Sequence, residues 1–288
     1  MINVNHHDNA QNKAVVFKSS SHYNTTIVCL PAMGVRAMYY KKFANAFQRE
    51  GFNVVLMDWR GSGSSTIRAS RKTDFGYEQL INDVHDLILQ IKVEFPDHKI
   101  IVVGHSLGGQ VGALFASRYS NMLAALVLIT ACNVYFKGWP GMAKLKVLIA
   151  GITFYPLSLL LGYFPGGSVG FGGREAVSVM KDWCSNALTG NYKLSASGFN
   201  YDEALLHLKL PVLALSIKND RLASENAVIN LLNKLKNCTV SHTHLSATNT
   251  SISPLNHFSW TKNPAAFVHI ITSWLSNLSI HGKSVDQS

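Results

Sequence analysis

Hydrophobic and polar positions change rhythm along the chain, and each change marks an element. Residues 25–30, 52–57, 99–103 and 124–129 are short, almost unbroken apolar runs rich in Val and Ile. That is the pattern of strands buried on both faces. Between the first two, Met38, Tyr39, Phe43, Ala46 and Phe47 recur at helical spacing within residues 36–50, and Gly51 stands at a C-cap position. Leu80, Ile81, Val84, Leu87, Ile88 and Ile91 share one face of a helix over 77–95, which Pro96 closes. Residues 1–12 read as a loose polar start and 13–17 as a first edge strand. Strands alternating with helices in this way predict an α/β fold with a mostly parallel central sheet and helices on both faces.

The alternation stops after residue 132 and resumes near 207. Residues 147–165 carry no charge, and their length approaches that of a membrane span. Pro156 stands inside that run and strands return after it, so the expectation is a cap of one or two helices with an apolar underside. The glycine-rich residues 162–173 read as an irregular linker, and 181–191 as another short helix. The core pattern returns as a strand at 210–217 and a helix at 224–236 that Ser224 can N-cap. A strand at 238–245, a polar loop at 246–256 and a closing helix at 264–278 follow. The expected organisation is a core of residues 1–132 and 207–288 with an inserted helical cap, or lid, at 133–206.

Composition narrows the class without naming an activity. Apolar residues make up 47% of the 288 positions and charged residues 15%, which excludes a disordered chain. The net charge is +10, but the basic residues are scattered and no nucleic-acid-binding motif accompanies them. The charge therefore reads as general solubility, with no nucleic-acid partner expected. Cys29, Cys132, Cys184 and Cys238 have no metal-ligand spacing; Cys29, Cys132 and Cys238, in or beside strands, read as buried free thiols, which fits a reducing, cytoplasmic setting. Met1 to Gln11 lacks the charged and apolar regions of a secretory signal.

Candidate chemistry begins at Gly104-His105-Ser106-Leu107-Gly108, between an apolar strand and a helix with a small-residue face. Strand, G-x-S-x-G turn and helix is the setting of a nucleophile elbow, in which Ser106 stands clear at the tip. A serine hydroxyl needs a base to take its proton and a carboxylate to orient that base. The chain order for such an elbow is Ser, acid, His. Asp220 follows the strand at 210–217, and His257 precedes the final helix. His242 and His244 share a face of the last strand without a third metal ligand, and His207 and His269 lie outside the expected loop. The backbone N–H of Leu107 and of Met33, in the loop Pro31-Ala32-Met33-Gly34, are the oxyanion-hole candidates. Met33, His105, Phe154 and Leu160 stand as substrate-pocket candidates, although His105 is expected to turn away from the nucleophile.

Pro31-Ala32-Met33-Gly34, Asp58-Trp59-Arg60-Gly61-Ser62-Gly63-Ser64, Gly104–Gly109, Asp220 and His257, in this order, resemble the α/β-hydrolase superfamily over nearly the whole chain. The Asp58–Ser64 segment is similar to a D-x-R-G-x-G-x-S stretch that is usually structural there. Pro-Ala-Met-Gly, with Gly162–Pro165 and Trp183-Cys184, resembles a group of bacterial hydrolases of mostly unassigned substrate. One departure is Asn256, where glycine often precedes the histidine; it is expected to alter the loop without removing the base. The resemblance implies an α/β-hydrolase fold and a serine hydrolase acting on a small-molecule ester or thioester, with no metal or organic cofactor. The apolar 147–165 segment suggests an apolar acyl group and peripheral contact with a membrane. An acyltransferase on the same scaffold and a non-catalytic binding protein are the alternatives.

Overall fold

A computed structural model of the chain describes residues 1–20 and 23–278, so the last ten residues assigned to the core lie outside the described residues. Eight strands form one sheet: β1 (Ile2–Asn5), β2 (Gln11–Phe17), β3 (Thr25–Leu30), β4 (Asn53–Met57), β5 (Lys99–His105), β6 (Ala125–Ile129), β9 (Pro211–Ile217) and β10 (Thr239–Leu245). Two further short strands, β7 (Phe164–Pro165) and β8 (Arg174–Glu175), pair with each other. The main sheet runs β1-β2-β4-β3-β5-β6-β9-β10. Pairing is antiparallel at β1–β2 and β2–β4 and parallel from β4 through to β10.

The helices are α1 (Lys41–Arg49), α2 (Tyr77–Glu94), α3 (Leu107–Arg118), α4 (Gly141–Leu161), α5 (Gly166–Val169), α6 (Val177–Thr189), α7 (Tyr201–His207), α8 (Glu225–Leu232), α9 (Ala247–Thr250) and α10 (Ala265–Asn277). The five central strands, β4, β3, β5, β6 and β9, are buried on both faces, and the two-residue period of a strand divides their side chains between two cores. On β3, Ile27 and Cys29 join Phe43 and Phe47 of α1 and Phe267 and Ile271 of α10. Val28 and Leu30 join Leu80 and Val84 of α2 and Val111 and Phe115 of α3 on the other face. The order predicted for the core strands and helices is the order observed.

Chain direction explains where a site can form. After β3 the chain adds β4 on one side, then returns to add β5 on the other side of β3. The connections leaving β3 and β5 therefore diverge to opposite faces. In open parallel sheets the crevice at the carboxyl ends of such strands is where ligands bind.

Three local expectations change. Residues 2–5 form a strand, not a loose start, and they take the sheet edge, so the strand expected at the edge, Gln11–Phe17, is paired on both sides; Val4 is the one buried side chain of β1, so its alternation is almost invisible in the sequence. The apolar segment is a single helix that starts at Gly141 and continues through Pro156 to Leu161. Residues 162–173 are less irregular than their glycine content suggests. Phe164–Pro165 pairs with Arg174–Glu175, and α5 forms one turn between them. The cysteines are free; Cys29 and Cys132 are buried as expected, Cys238 is only half-buried, and Cys184 is buried as well.

Candidate active site

The elbow is built by backbone constraint. Ser106 sits at φ +54° and ψ −116°, outside the ordinary regions for a residue with a side chain. Its N–H donates to the Ile129 carbonyl (3.0 Å), and its carbonyl accepts from the N–H groups of Gly109 (3.0 Å) and Gln110 (3.1 Å). The flanking glycines are sterically required. A Cβ on Gly104 would collide with Gly108 O and Gly109 Cα, and one on Gly108 would collide with Leu30 O. The turn is thus compressed between β3, β5 and α3, and Ser106 stands at the N-terminus of α3, where the helix dipole favours negative charge.

Asp220 and His257 come from distant loops and meet. Asp220 Oδ2 lies 2.8 Å from His257 Nδ1, and both residues are buried. The other carboxylate oxygen of Asp220 accepts from the N–H groups of Leu222 (2.8 Å) and Ala223 (3.1 Å). This frees Ser224 to cap α8, where its hydroxyl accepts from Ala227 N–H at 3.2 Å. His257 is held from behind by its carbonyl, which accepts from Trp260 Nε1 at 3.0 Å. Asn256 also has a local role: its side-chain oxygen accepts from the N–H groups of Phe258 (3.0 Å) and Ser259 (2.9 Å) and shapes the turn after the histidine.

Ser106, His257, Met33 and Leu107 line one cavity of about 410 Å³, within the range of small-molecule sites. Neither Met33 N–H nor Leu107 N–H has a hydrogen-bond partner among the described residues. A continuous bridge ties their two loops together: Ala32 N–H donates to the Tyr40 hydroxyl (3.0 Å), which lies 2.7 Å from His105 Nδ1. Because Tyr40 already accepts from Ala32, its own proton is free for the imidazole. His105 is fully buried, and burial, reinforced by the nearby His257, holds its pKa well below the ordinary value and keeps it neutral. Trp59 secures the same loop from below, donating from Nε1 to Pro31 O at 2.8 Å. Asp58 accepts from Ala37 N–H (2.7 Å) and Ser64 N–H (3.2 Å), which accounts for the Asp58–Ser64 motif in structural terms.

Two pocket candidates are corrected. His105 is not among the cavity-lining residues; it faces Tyr40 behind the elbow. Leu160 is 70% exposed and lies outside the cavity. Phe154 does line the cavity, and six residues further along a 3.6-residue repeat turns the side chain about a third of a turn away from it. Sequence reasoning also missed much of the lining: Gln110, Trp139, Ala150, Phe171, Trp183 and Leu222. Only Gln110 left a signal, because it follows Ser106 by one helical turn. Lys146 and Arg221 supply cationic groups to the lining, which contains no carboxylate among the described residues. Cys132 lines it too, but burial pushes its thiol pKa up and keeps it protonated.

His242 and His244 both lie within hydrogen-bond distance of the Ser216 hydroxyl, at 2.8 and 2.7 Å. They therefore share a strand face, as their spacing predicts, and neither reaches the cavity.

Comparison with known proteins agrees with this architecture. The family described as "alpha/beta hydrolase fold" matches residues 25–151. Protein phosphatase methylesterase 1 of Candida albicans is 29% identical over 114 residues, 39% of this chain and 31% of its own length. Lysophospholipase L2 of Escherichia coli is 29% identical over 118 residues, 40% of this chain and 34% of its own. The matched stretches thus span about a third of these curated relatives. An esterase from Exiguobacterium antarcticum superposes with a TM-score of 0.62 at 14% identity, covering 96% of this chain and 99% of the other. The sheet order, the elbow after β5 and these likenesses agree: the chain has the α/β-hydrolase fold.

Proposed function

We propose that this protein is a serine hydrolase that cleaves a carboxylic ester or thioester with an apolar acyl group. The carrying observation is that the strained Ser106 and the Asp220-bound His257 line the same, mostly apolar cavity. In this reading Ser106 Oγ attacks the substrate carbonyl carbon, and His257 Nε2 accepts the hydroxyl proton. Asp220 holds the other ring nitrogen in its donor state. Met33 N–H and Leu107 N–H receive the developing oxyanion, a contribution of several kcal/mol from two preorganised donors. His257 returns its proton to the leaving alcohol or thiol. A water molecule, deprotonated by the same histidine, then attacks the acyl-serine and releases the acid.

Residues 133–206 act as the lid and select the substrate. α4 supplies Ala143, Val147, Ala150 and Phe154 to the cavity, and Phe171 and Trp183 extend the apolar wall. Such a wall suits a medium or long acyl chain better than acetate. The esterase and lysophospholipase names among the similar proteins support the same reaction class.

Labelling with a fluorophosphonate, followed by turnover of p-nitrophenyl esters of increasing chain length, tests the proposal. Wild-type protein is expected to label, Ser106→Ala is not, and octanoate should be preferred to acetate. Absence of labelling in the folded wild-type protein overturns the enzyme reading. Acetate preference overturns the apolar-acyl reading alone.

A further inference from the structure

Helix α4 is apolar on two sides, and among the described residues only one of them is covered. Its inner face lines the cavity and packs on α6, where a Cβ on Gly151 would lie 3.2 Å from Ala187 Cβ. Its outer face carries Met142, Leu145, Ile149, Ile152, Pro156, Leu159 and Leu160, spaced at three or four residues apart from the last adjacent pair. At this spacing they form one continuous stripe. All are exposed; the Met, Leu and Ile side chains range from 44% for Leu145 to 70% for Leu160. An 18-residue window of the helix has a mean hydropathy of 1.6, yet only 11% of it is buried. A 21-residue helix is about 32 Å long, so this is an extended apolar surface rather than one stray leucine.

Charge around the stripe indicates what covers it. No aspartate or glutamate occurs from residue 98 through residue 174. Lys137 and Lys144 stand exposed at the N-terminal end of α4, each within 6 Å of the Phe136 ring centre (5.9 and 5.8 Å). Arg71 donates to the Leu160 carbonyl at the other end, and Lys72 is beside it in sequence. An apolar stripe bordered by cations and carrying no carboxylate of its own matches a lipid surface with anionic headgroups.

We propose that the outer face of α4 docks on an anionic lipid bilayer and lies in its interface. The helix is long enough to cross a membrane, but its inner face belongs to the cavity wall and to the packing against α6. Docking therefore sets the roof of the cavity against the lipid, and an apolar substrate partitioned into the bilayer is concentrated beside it. The inference goes beyond the hydrolase proposal and does not depend on catalysis.

Co-sedimentation with phosphatidylcholine vesicles, with and without phosphatidylglycerol, tests it. Wild-type protein is expected to sediment with the anionic vesicles and to bind the zwitterionic ones at least several-fold more weakly. Leu145→Ser/Ile149→Ser/Ile152→Ser should lower the partition coefficient by about tenfold or more. Lys137→Gln/Lys144→Gln, which leaves the stripe intact, should lower it by about threefold or more, as should salt that shortens the Debye length from about 10 Å to 3 Å. Fluorophosphonate labelling is expected to be unchanged in both variants, which also reports that they are folded.

Failure of wild-type protein to bind, or full binding by the triple serine variant, overturns the proposal. So does a concentration-dependent dimer that the triple variant abolishes while vesicles bind neither form; the stripe is then an interface between copies. A protein that labels without binding vesicles refutes docking alone, and one that binds without labelling refutes the hydrolase reading alone.

Discussion

Replacing Asp220 by asparagine separates chemistry from folding, because the structure fixes which way the new amide must point. One Asp220 oxygen accepts from Leu222 N–H (2.8 Å) and Ala223 N–H (3.1 Å), and the other faces His257 Nδ1 (2.8 Å). Asparagine has one oxygen, and two backbone donors hold it on their side. The amide NH₂ is left facing His257 and demands that Nδ1 accept. The ring proton must then sit on Nε2, the nitrogen that receives the Ser106 proton in the proposed reaction. A carboxylate-to-amide change of this kind costs about 10⁴ in kcat, or about 5.4 kcal/mol at 1.36 kcal/mol per tenfold. Folding should lose little, because both backbone hydrogen bonds survive.

Asp220→Ala removes the acceptor and orphans two N–H groups, at about 1–3 kcal/mol each. It also frees the imidazole to choose its tautomer. The expected orders therefore cross: Asn is the more stable variant by urea unfolding, and Ala is at least as fast in ester turnover. Steady-state kinetics on a p-nitrophenyl ester, with unfolding curves for both proteins, decide the matter. An Asn variant within tenfold of wild type, or faster than the Ala variant, refutes the tautomer argument.

Three further outcomes are expected. Tyr40→Phe removes the bridge between Ala32 N–H and His105; it should cost about 1–3 kcal/mol on urea unfolding and lower kcat by about tenfold as the Met33 loop loosens, and unchanged kcat would remove Tyr40 from loop positioning. Gly34→Ala puts a Cβ at φ +71° into the Gly172 and Gly173 backbone and should lower kcat by about 10² through the displaced Met33 donor, whereas Gly167→Ala, with open space around its Cβ position, should be silent in the same assay. His105 has a depressed pKa in the folded state, so the unfolded chain binds the extra proton first: stability is complete above the ordinary value of about 6.5 and falls as pH drops below it, by at most about 1.4 kcal/mol per pH unit. Urea unfolding between pH 5 and 8 should show a shallower slope in His105→Asn, and equal slopes would place the titration elsewhere.

What the sequence revealed and what it hid follow from the range of the interactions involved. Ser106 was legible because the elbow is local: strand, turn and helix lie within about twenty residues, and its steric demands leave glycines in the text. Asp220 and His257 were legible by position, since the strand order fixes which loops reach the crevice. β1 was not, because it is held by contacts distant in sequence. His6 Nδ1 lies 3.0 Å from Asp83 and 3.3 Å from Asp86, and Arg60 joins Asp8 to Asp83. No periodicity records such a network. Leu160 failed for a related reason: an apolar helix was assumed to have one buried side, and a segment apolar all round carries no phase to say which side that is.

The division of labour between the proposed core and cap is less clean than the order of elements implies. Gly34 follows the oxyanion candidate Met33, and a Cβ on it would strike Gly172 and Gly173, which lie between β7 and β8. A Cβ on Gly172 would in turn lie 3.1 Å from the Met33 side chain. The turn is pinned from within by Glu175, whose carboxylate accepts Gly173 N–H at 2.7 Å and whose pKa is raised by burial. The segment that contributes Gly170, Phe171 and Gly172 to the cavity is therefore packed directly against the loop that would stabilise charge. A shift of this turn to admit a larger acyl chain would displace Met33 as well. Substitutions in the β7–β8 turn should thus move kcat together with KM across the ester series, whereas widening the α4 wall at Val147 should move chain-length preference with kcat on short esters unchanged. Equal effects of the two on short-ester kcat would show that the turn and the oxyanion loop move independently.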